Sequence, residues 1–263
     1  MTMTTGFRAL GNKHVWVEEA GEGPAVVGIH GLGGTCNIYG PQIAALADTH
    51  RIVTFDLNGH GMSPMVGPIS IENWADDVVA LMNDLELDSA ALVSHSMGTL
   101  VAQQVLAIAG DRIRASAFLG PVRNLPDAAR GAQADRAALV RSQGMAAVAG
   151  AISQGAVSAK TRAERPVVSA MIKELLQRQS AEGYAAACEA LGGSSPPDIS
   201  RVTCPVLGVT GTEDMVCPPD ALGAITGEFA DATAVVIDDI GHWTTLEAPA
   251  EVNDLLEDFL KTA

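Results

Sequence analysis

The stretch that decides the fold of this chain is AALVSHSMGTLVAQQ, residues 90–104. A short apolar segment stops at a turn of small and polar residues, and apolar positions at helical spacing follow it. This order predicts a strand, a sharp turn and a helix, with Ser96 at the centre of the turn. Such a turn exposes a serine hydroxyl and points the first amides of the helix at any anion beside it. Ser96 is therefore the candidate nucleophile, although Ser94 stands where the usual G-x-S-x-G pattern has its first glycine.

Strands and helices alternate on both sides of this turn, which favours a mostly parallel sheet with helical crossovers. The periodicity predicts strands over residues 14–19, 25–29, 51–57, 90–93, 115–119, 205–211 and 233–237. It predicts helices over residues 71–87, 97–109, 219–229 and 248–260. Gly-Glu-Gly-Pro separates the first two strands, and we interpret it as a hairpin turn, so that the sheet is expected to begin antiparallel.

The strand pattern disappears between residues 121 and 200, where helical stretches rich in Ala and Arg take its place. We therefore expect a core domain built from residues 1–122 and 201–263, interrupted by a helical cap over residues 123–200. The middle of the chain is locally basic, with nine Lys or Arg against seven Asp or Glu in residues 121–200. The chain as a whole carries a formal net charge of −15.

This acidic balance disfavours nucleic acid and anionic membrane surfaces as partners, because both would be repelled. The four cysteines show neither metal-ligand spacing nor a disulfide framework, and no basic start or long apolar run indicates export or a membrane span. These features predict a soluble, cytoplasmic protein without a metal or organic cofactor. They leave the oligomeric state open, a homo-oligomer included.

Two further residues complete a pattern for nucleophilic catalysis. A serine hydroxyl needs a base within hydrogen-bond reach and a third group that orients the base. Asp214 follows the strand predicted at 205–211, and His242 follows the strand predicted at 233–237. Since the carboxyl ends of parallel strands meet at one edge of a sheet, we expect Ser96, His242 and Asp214 to form a triad there.

An acyl-transfer intermediate carries an oxyanion, which backbone N–H groups can stabilise. His-Gly-Leu-Gly-Gly, residues 30–34, directly follows a predicted buried strand and offers a loop for this purpose. We assign the two donors to the N–H groups of Leu32 and Met97, the second being the residue after the nucleophile.

The motifs at residues 30–31, 56–63, 94–98, 211–214 and 241–242 together resemble the α/β-hydrolase superfamily. The resemblance implies an eight-stranded, mostly parallel sheet flanked by helices, with an inserted helical cap. The loop Asp-Leu-Asn-Gly-His-Gly-Met-Ser at 56–63 and the cap segment at 183–191 are similar to the 3-oxoadipate enol-lactonase branch. The pair His242-Trp243 is more similar to C–C bond hydrolases of ring-fission products.

The substrate pocket is expected to take its wall from residues near this edge: His30, Gly31, His95, Met145, Tyr184 and Trp243. His30 could instead brace the oxyanion loop, and Asp56, His60 and Ser63 are expected to hold the loop after their strand. Cap arginines (Arg123, Arg130, Arg136, Arg141 and Arg178) are mostly expected at the surface, but one could hold a substrate carboxylate.

The sequence thus predicts a serine hydrolase of a small carboxylic ester or lactone. Three alternatives stay open: a C–C bond hydrolase that uses the same triad, a cofactor-free haloperoxidase or perhydrolase, and a ligand receptor that has lost turnover. The motifs indicate the chemistry, whereas the shape of the pocket decides the substrate.

Overall fold

A computed structural model describes residues 2–261 of the chain. Its central feature is an eight-stranded sheet with the strand order β1-β2-β4-β3-β5-β6-β7-β8. The strands are β1 (Met3–Leu10), β2 (Lys13–Ala20), β3 (Ala25–Ile29), β4 (Arg51–Phe55), β5 (Ala90–His95), β6 (Ile113–Leu119), β7 (Val206–Gly211) and β8 (Ala232–Ile237). All neighbouring pairs from β4 to β8 are parallel, whereas β2 runs antiparallel to both β1 and β4.

The start of the sheet corrects two of our expectations. The turn at residues 21–24 does not form a hairpin, because β4 lies between β2 and β3. Gly21 instead allows the backbone after β2 to pass close to the backbone before β4, since a Cβ there would lie 2.2 Å from the His50 carbonyl oxygen. The hairpin is the one between β1 and β2, a strand pair of which we predicted only the second member. Every side chain of β1 before Leu10 is exposed or half-buried, so the strand shows no clear apolar alternation.

Eleven α-helices are described in residues 2–261: α1 (Gly40–Leu46), α2 (Ile71–Asp84), α3 (Met97–Ala109), α4 (Asp127–Gln143), α5 (Ala146–Gly155), α6 (Ala159–Glu164), α7 (Pro166–Gln177), α8 (Ala181–Gly193), α9 (Pro219–Thr226), α10 (Thr244–Glu247) and α11 (Pro249–Lys261). None of these helices has both the length and the apolar character that crossing a membrane requires. Each of the four helices predicted from periodicity corresponds to an observed helix.

The core lies on both faces of the sheet, and alternate side chains of β5 show the division. Leu92 belongs to one apolar cluster, with α2, α3 and α9. Ala91 and Val93 belong to the other, with α1 and α11. All six residues of β5 are buried, which explains why the strand reads as a continuous apolar run and not as an alternation.

Helices α4 to α8 all lie between β6 and β7, and no strand interrupts them in this described stretch. They coincide with the segment 123–200 that we predicted to be a cap, and the division of the chain into core and cap stays a prediction. Residues 1, 262 and 263 of the predicted core segments lie outside the described residues. Parallel strands β3, β5, β6 and β7 all end at the same edge, beneath these helices.

Candidate active site

Ser96 stands alone between the end of β5 and the first residue of α3. Its backbone has φ 54° and ψ −124°, a conformation that a serine adopts only under strain. Its N–H donates to the Leu119 carbonyl across the sheet at 2.9 Å. Very close packing keeps the turn in place, since a Cβ on Gly98 would lie 2.3 Å from the Ile29 carbonyl oxygen. Ser94 replaces a glycine without harm, because its hydroxyl donates to the Ala117 carbonyl at 3.1 Å.

The three predicted triad side chains form one chain of hydrogen bonds. His242 Nε2 lies 2.8 Å from Ser96 Oγ, and His242 Nδ1 lies 2.9 Å from Asp214 Oδ2. Because a carboxylate only accepts, Nδ1 carries the proton and Nε2 is left to accept from the serine hydroxyl. His242 lies 146 positions after Ser96 and 28 positions after Asp214 in the chain. Strand ends that converge at one edge bring them together.

The Asp214 carboxylate is almost fully buried and fully partnered. Oδ1 accepts from the N–H groups of Val216 and Cys217, and Oδ2 accepts from the Thr210 hydroxyl. Burial alone would raise the pKa of this carboxyl, but His242 and these donors lower it to about 2. Asp214 is therefore ionised across the neutral pH range, as a group that orients an imidazole must be.

The loop after β3 contains a backbone N–H, that of Leu32, which has no hydrogen-bond acceptor among residues 2–261. Residues 31–34 form a turn closed by the Gly34 N–H and the Gly31 carbonyl at 3.0 Å, with Gly33 at φ +73°. Among residues 2–261, no acceptor is hydrogen-bonded to the N–H of Leu32 or of Met97. Met97 is the first residue of α3, so its N–H has no partner within the helix. Gly31 packs against the serine itself, since a Cβ on it would lie 2.7 Å from Ser96 Cβ.

A family model described as alpha/beta hydrolase fold matches residues 24–249. The chain belongs to the α/β hydrolase family. This membership confirms the fold class and the superfamily resemblance inferred from the motifs.

Three proteins show where this α/β hydrolase lies within its family. It is 28% identical over 240 residues to 3-oxoadipate enol-lactonase 2 of Acinetobacter baylyi, covering 90% of this chain and 89% of that protein. It is 28% identical over 260 residues to (E)-2-((N-methylformamido)methylene)succinate hydrolase of the same organism, covering 93% of each. The solved enol-lactonase of Burkholderia xenovorans LB400 superposes with a TM-score of 0.89 at 29% identity, covering 97% of this chain and 100% of that one.

In this α/β hydrolase, His30 joins the predicted oxyanion loop to the backbone after β4. Its Nδ1–H donates to the Gly31 carbonyl at 2.8 Å, and its Nε2 accepts from the Leu57 N–H at 2.9 Å. Both ring nitrogens are therefore used by the backbone, and the side chain is fully buried. Burial lowers the pKa of His30, although the nearby Asp56 carboxylate acts in the opposite direction. This placement matches the bracing role and leaves no polar atom of His30 for a substrate.

His95, next to the candidate nucleophile Ser96, is also buried, and its ring is hydrogen-bonded to the backbone of His242. Its Nε2–H donates to the His242 carbonyl at 2.8 Å, and its ring packs against those of His242 and Trp243 at 4.9 Å and 5.2 Å between centroids. Burial and the neighbouring His242 lower the pKa of His95 to about 3, so the ring is neutral at ordinary pH. Trp243 is buried in the apolar cluster.

The loops after β4 and β8 owe their shape to two carboxylates. Asp56 accepts from the N–H groups of Cys36 and Met62, and Ser63 donates to the Asp56 carbonyl. Glu247, which the motif analysis missed, accepts from the N–H groups on both sides of His242, at Gly241 and Trp243. A carboxylate five residues after a candidate catalytic histidine was the available signal.

The predicted cap also reaches the histidine loop. Glu247 accepts a third hydrogen bond, from the Ser158 N–H at 2.8 Å, and the His242 N–H donates to the Ala156 carbonyl at 2.9 Å. The segment between α5 and α6 is therefore hydrogen-bonded to the backbone of His242, the candidate catalytic histidine.

The remaining pocket candidates lie inside the predicted cap. Tyr184 and Met145 are both buried. The Tyr184 ring packs on the oxyanion loop, so that a Cβ on Gly33 would lie 2.9 Å from its Cε2 atom. Whether Met145, Tyr184, His95, Trp243 and Gly31 contact a substrate stays a prediction.

Most of the arginines in the predicted cap already have hydrogen-bond or ion-pair partners within the chain. Arg123, Arg141 and Arg178 pair with carboxylates, and Arg130 donates to backbone carbonyls in the last turn of α8 and just after it. Arg136 differs, because it lies beside the buried Tyr184 hydroxyl. Burial raises the pKa of that hydroxyl, and the Arg136 guanidinium opposes the rise.

Proposed function

We propose that this chain is a serine hydrolase that cleaves carboxylic esters or lactones through Ser96, His242 and Asp214. The observation that carries the proposal is the unbroken line of hydrogen bonds at 2.8 Å and 2.9 Å from the serine oxygen to the buried carboxylate. We assign the oxyanion donors to the N–H groups of Leu32 and Met97, neither of which has a hydrogen-bond acceptor among residues 2–261. A nucleophile, an oriented base and an oxyanion site are what acyl transfer requires.

In the first half of the reaction, Ser96 Oγ bonds to the substrate carbonyl carbon while its proton passes to His242 Nε2. The carbonyl oxygen gains the negative charge and accepts from the N–H groups of Leu32 and Met97. Collapse breaks the C–O bond to the leaving oxygen, which takes the proton from His242. Asp214 stays ionised throughout and stabilises the imidazolium that forms.

In the second half, a water molecule gives its proton to His242 Nε2 and its oxygen bonds to the acyl carbon. Collapse of this second intermediate breaks the bond to Ser96 Oγ and returns the proton to the serine. The products are one carboxylic acid and one alcohol. A lactone gives both groups in a single molecule, and an enol-lactone gives the acid together with a ketone after tautomerisation.

Labelling with a fluorophosphonate tests this proposal. The folded wild-type protein is expected to gain one adduct at Ser96, and Ser96→Ala is expected to gain none while it keeps the wild-type melting temperature. His242→Gln should retain the serine but react far more slowly. Absence of labelling in the folded wild type, or equal labelling of Ser96→Ala, would contradict the proposal.

The two Acinetobacter baylyi relatives support a substrate that bears a carboxylate, because the name of each includes a dicarboxylate, 3-oxoadipate or succinate. Arg136 is the cap arginine proposed to meet that group. We expect Arg136→Ala to lose kcat/KM on a carboxylate-bearing lactone by about tenfold or more, with little change on a neutral ester of similar size. Arg178→Ala, at an exposed position, is the control. Equal losses on both substrates would remove the carboxylate from the proposal.

A C–C bond hydrolase is the second candidate, favoured by the His242-Trp243 pair. An assay with an enol-lactone, a simple ester and a vinylogous diketo acid, side by side, separates the two. Turnover of the diketo acid alone would replace the ester and lactone proposal with this one.

A further inference from the structure

Gln179 lies between α7 and α8, and its side chain is buried although it belongs to a short connection. The two N–H groups of its Nε2 are shared among three carbonyls, those of Gly33 at 3.2 Å, Gly34 at 3.4 Å and Leu175 of α7 at 3.2 Å. Its Oε1 accepts from the Gly61 N–H at 3.0 Å. One cap side chain therefore joins the loop after β3 to the loop after β4.

These partners determine which way the amide faces. A backbone N–H can only donate, so the oxygen must face Gly61, and the carbonyls of Gly33 and Gly34 require the amino group. A side chain that only accepts could keep the hydrogen bond from the Gly61 N–H and would lose those to the carbonyls of Gly33 and Gly34. A shorter side chain would reach neither.

The bonds to Gly33 and Gly34 fall on the turn that carries the Leu32 N–H. That turn is held near its start by His30, through the Gly31 carbonyl, and just after its end by Asp56, through the Cys36 N–H. Gln179 supplies the contact between those two points. Without it, the carbonyls of Gly33 and Gly34 have no hydrogen-bond donor among residues 2–261, and the turn keeps only its own Gly34–Gly31 hydrogen bond and the packing of Leu176 and Tyr184 on Gly33.

We propose that Gln179 is a positioning residue that fixes the oxyanion donor of Leu32 from the predicted cap. The inference rests on the proposed function, since the donor matters only where an oxyanion forms. An oxyanion site works through donors placed before the reaction begins, and the loss of one donor costs 10²–10³ in kcat in other hydrolases. A donor that is loosened and not removed should cost less, about tenfold to fiftyfold.

The test compares Gln179→Glu and Gln179→Met with Arg178→Ala. The glutamate variant has nearly the same shape but only accepts when it is ionised and has one O–H donor in place of two N–H donors when it is neutral, and the methionine variant fills the same space without an N–H or O–H donor. The control lies one residue away, at an exposed position outside the network. For each protein, kcat and KM are measured on the ester or lactone that the wild type cleaves, together with the Ki of a boronic acid that mimics the tetrahedral intermediate.

Both Gln179 variants are expected to lower kcat about tenfold to fiftyfold with KM changed less than about threefold, and to raise the boronate Ki by a similar factor. The pH dependence of kcat/KM should stay as in the wild type for Gln179→Met, because the triad is untouched and no titratable group is added. An unchanged kcat and Ki in folded variants would overturn the inference while the proposed function stands.

Hydrogen exchange followed by mass spectrometry reads the loop without any turnover. Amides of residues 31–36 are expected to exchange faster in both Gln179 variants than in Arg178→Ala, at a temperature where all three proteins are folded. Equal protection would overturn the inference even if the wild type cleaved no ester. A wild type that neither reacts with fluorophosphonate nor hydrolyses any substrate would instead remove the proposed function.

Discussion

Mild acid should destabilise this protein, because it buries neutral histidines. The pKa of His95 falls from an ordinary value near 6.5 to about 3. Between those two pH values His95 is protonated in the unfolded chain but not in the folded chain. The free energy of unfolding therefore decreases as the pH falls through this window. For His95 alone, the unfolding free energy should drop by about 2 kcal/mol from pH 7.5 to pH 5.

His60 and His30 act in the same direction, since burial lowers the pKa of each. The ring of His60 packs between those of His30 and Trp74, at 5.0 Å and 5.6 Å between centroids. Proteins of this size unfold with only about 5–15 kcal/mol, so these histidines together take a large share of the stability at pH 5.

Urea unfolding at pH 7.5, 6.5, 5.5 and 5.0 measures the effect, with His95→Gln as the comparison. The variant is expected to be less stable than the wild type at pH 7.5, because it loses the ring contacts with His242 and Trp243. Its stability should nevertheless fall about 2 kcal/mol less than that of the wild type between pH 7.5 and pH 5. Parallel curves for the two proteins would refute the assignment of a buried, neutral His95.

Three further substitutions test the loops around the serine. Leu32→Ala should change kcat less than about threefold, because its backbone N–H remains, and a large loss in steady-state assays would argue against that donor. Gly33→Ala should lower stability by about 2 kcal/mol, since φ is +73° and the new Cβ would lie 2.5 Å from a cap side chain; Gly131→Ala, in open space on a helix, is the control for thermal unfolding. Glu247→Gln should lower both the melting temperature and kcat, because at least one buried N–H beside the histidine loses its acceptor at about 1–3 kcal/mol. The exposed Glu251→Gln should change neither, and a Glu247 variant with wild-type kcat would show that the histidine loop needs no such support.

Local patterns were enough to predict the strand, turn and helix around Ser96, because the steric demands of that turn are written into adjacent residues. The positions of Asp214 and His242 after their strands follow from the same alternation. Strand order did not follow, since pairing between β2 and β4 depends on residues far apart in the chain. The strand β1 was missed because an exposed edge places no apolar demand on its sequence.

The polar residues that support the site were harder to find. Gln179 lies in a short connection and Glu247 at the last residue of the one-turn helix α10, where a polar side chain usually faces water, and only the packed structure shows that they are buried. The sequence predicts His30 and His95 near the candidate site, but it could not tell a side chain that faces a substrate from one that binds the backbone. That choice depends on a few ångströms of tertiary packing.

The hydrogen bonds that tie Ala156 and Ser158 to the histidine loop have a consequence for engineering. Deleting the helical insertion, or exchanging it for that of another family member, would remove the acceptor of the His242 N–H and one of the donors that hold the Glu247 carboxylate. A chimera should keep residues 156–158 to stay active. For the same reason calorimetry should record one melting transition for the whole chain, and not separate events for the sheet and the helices above it.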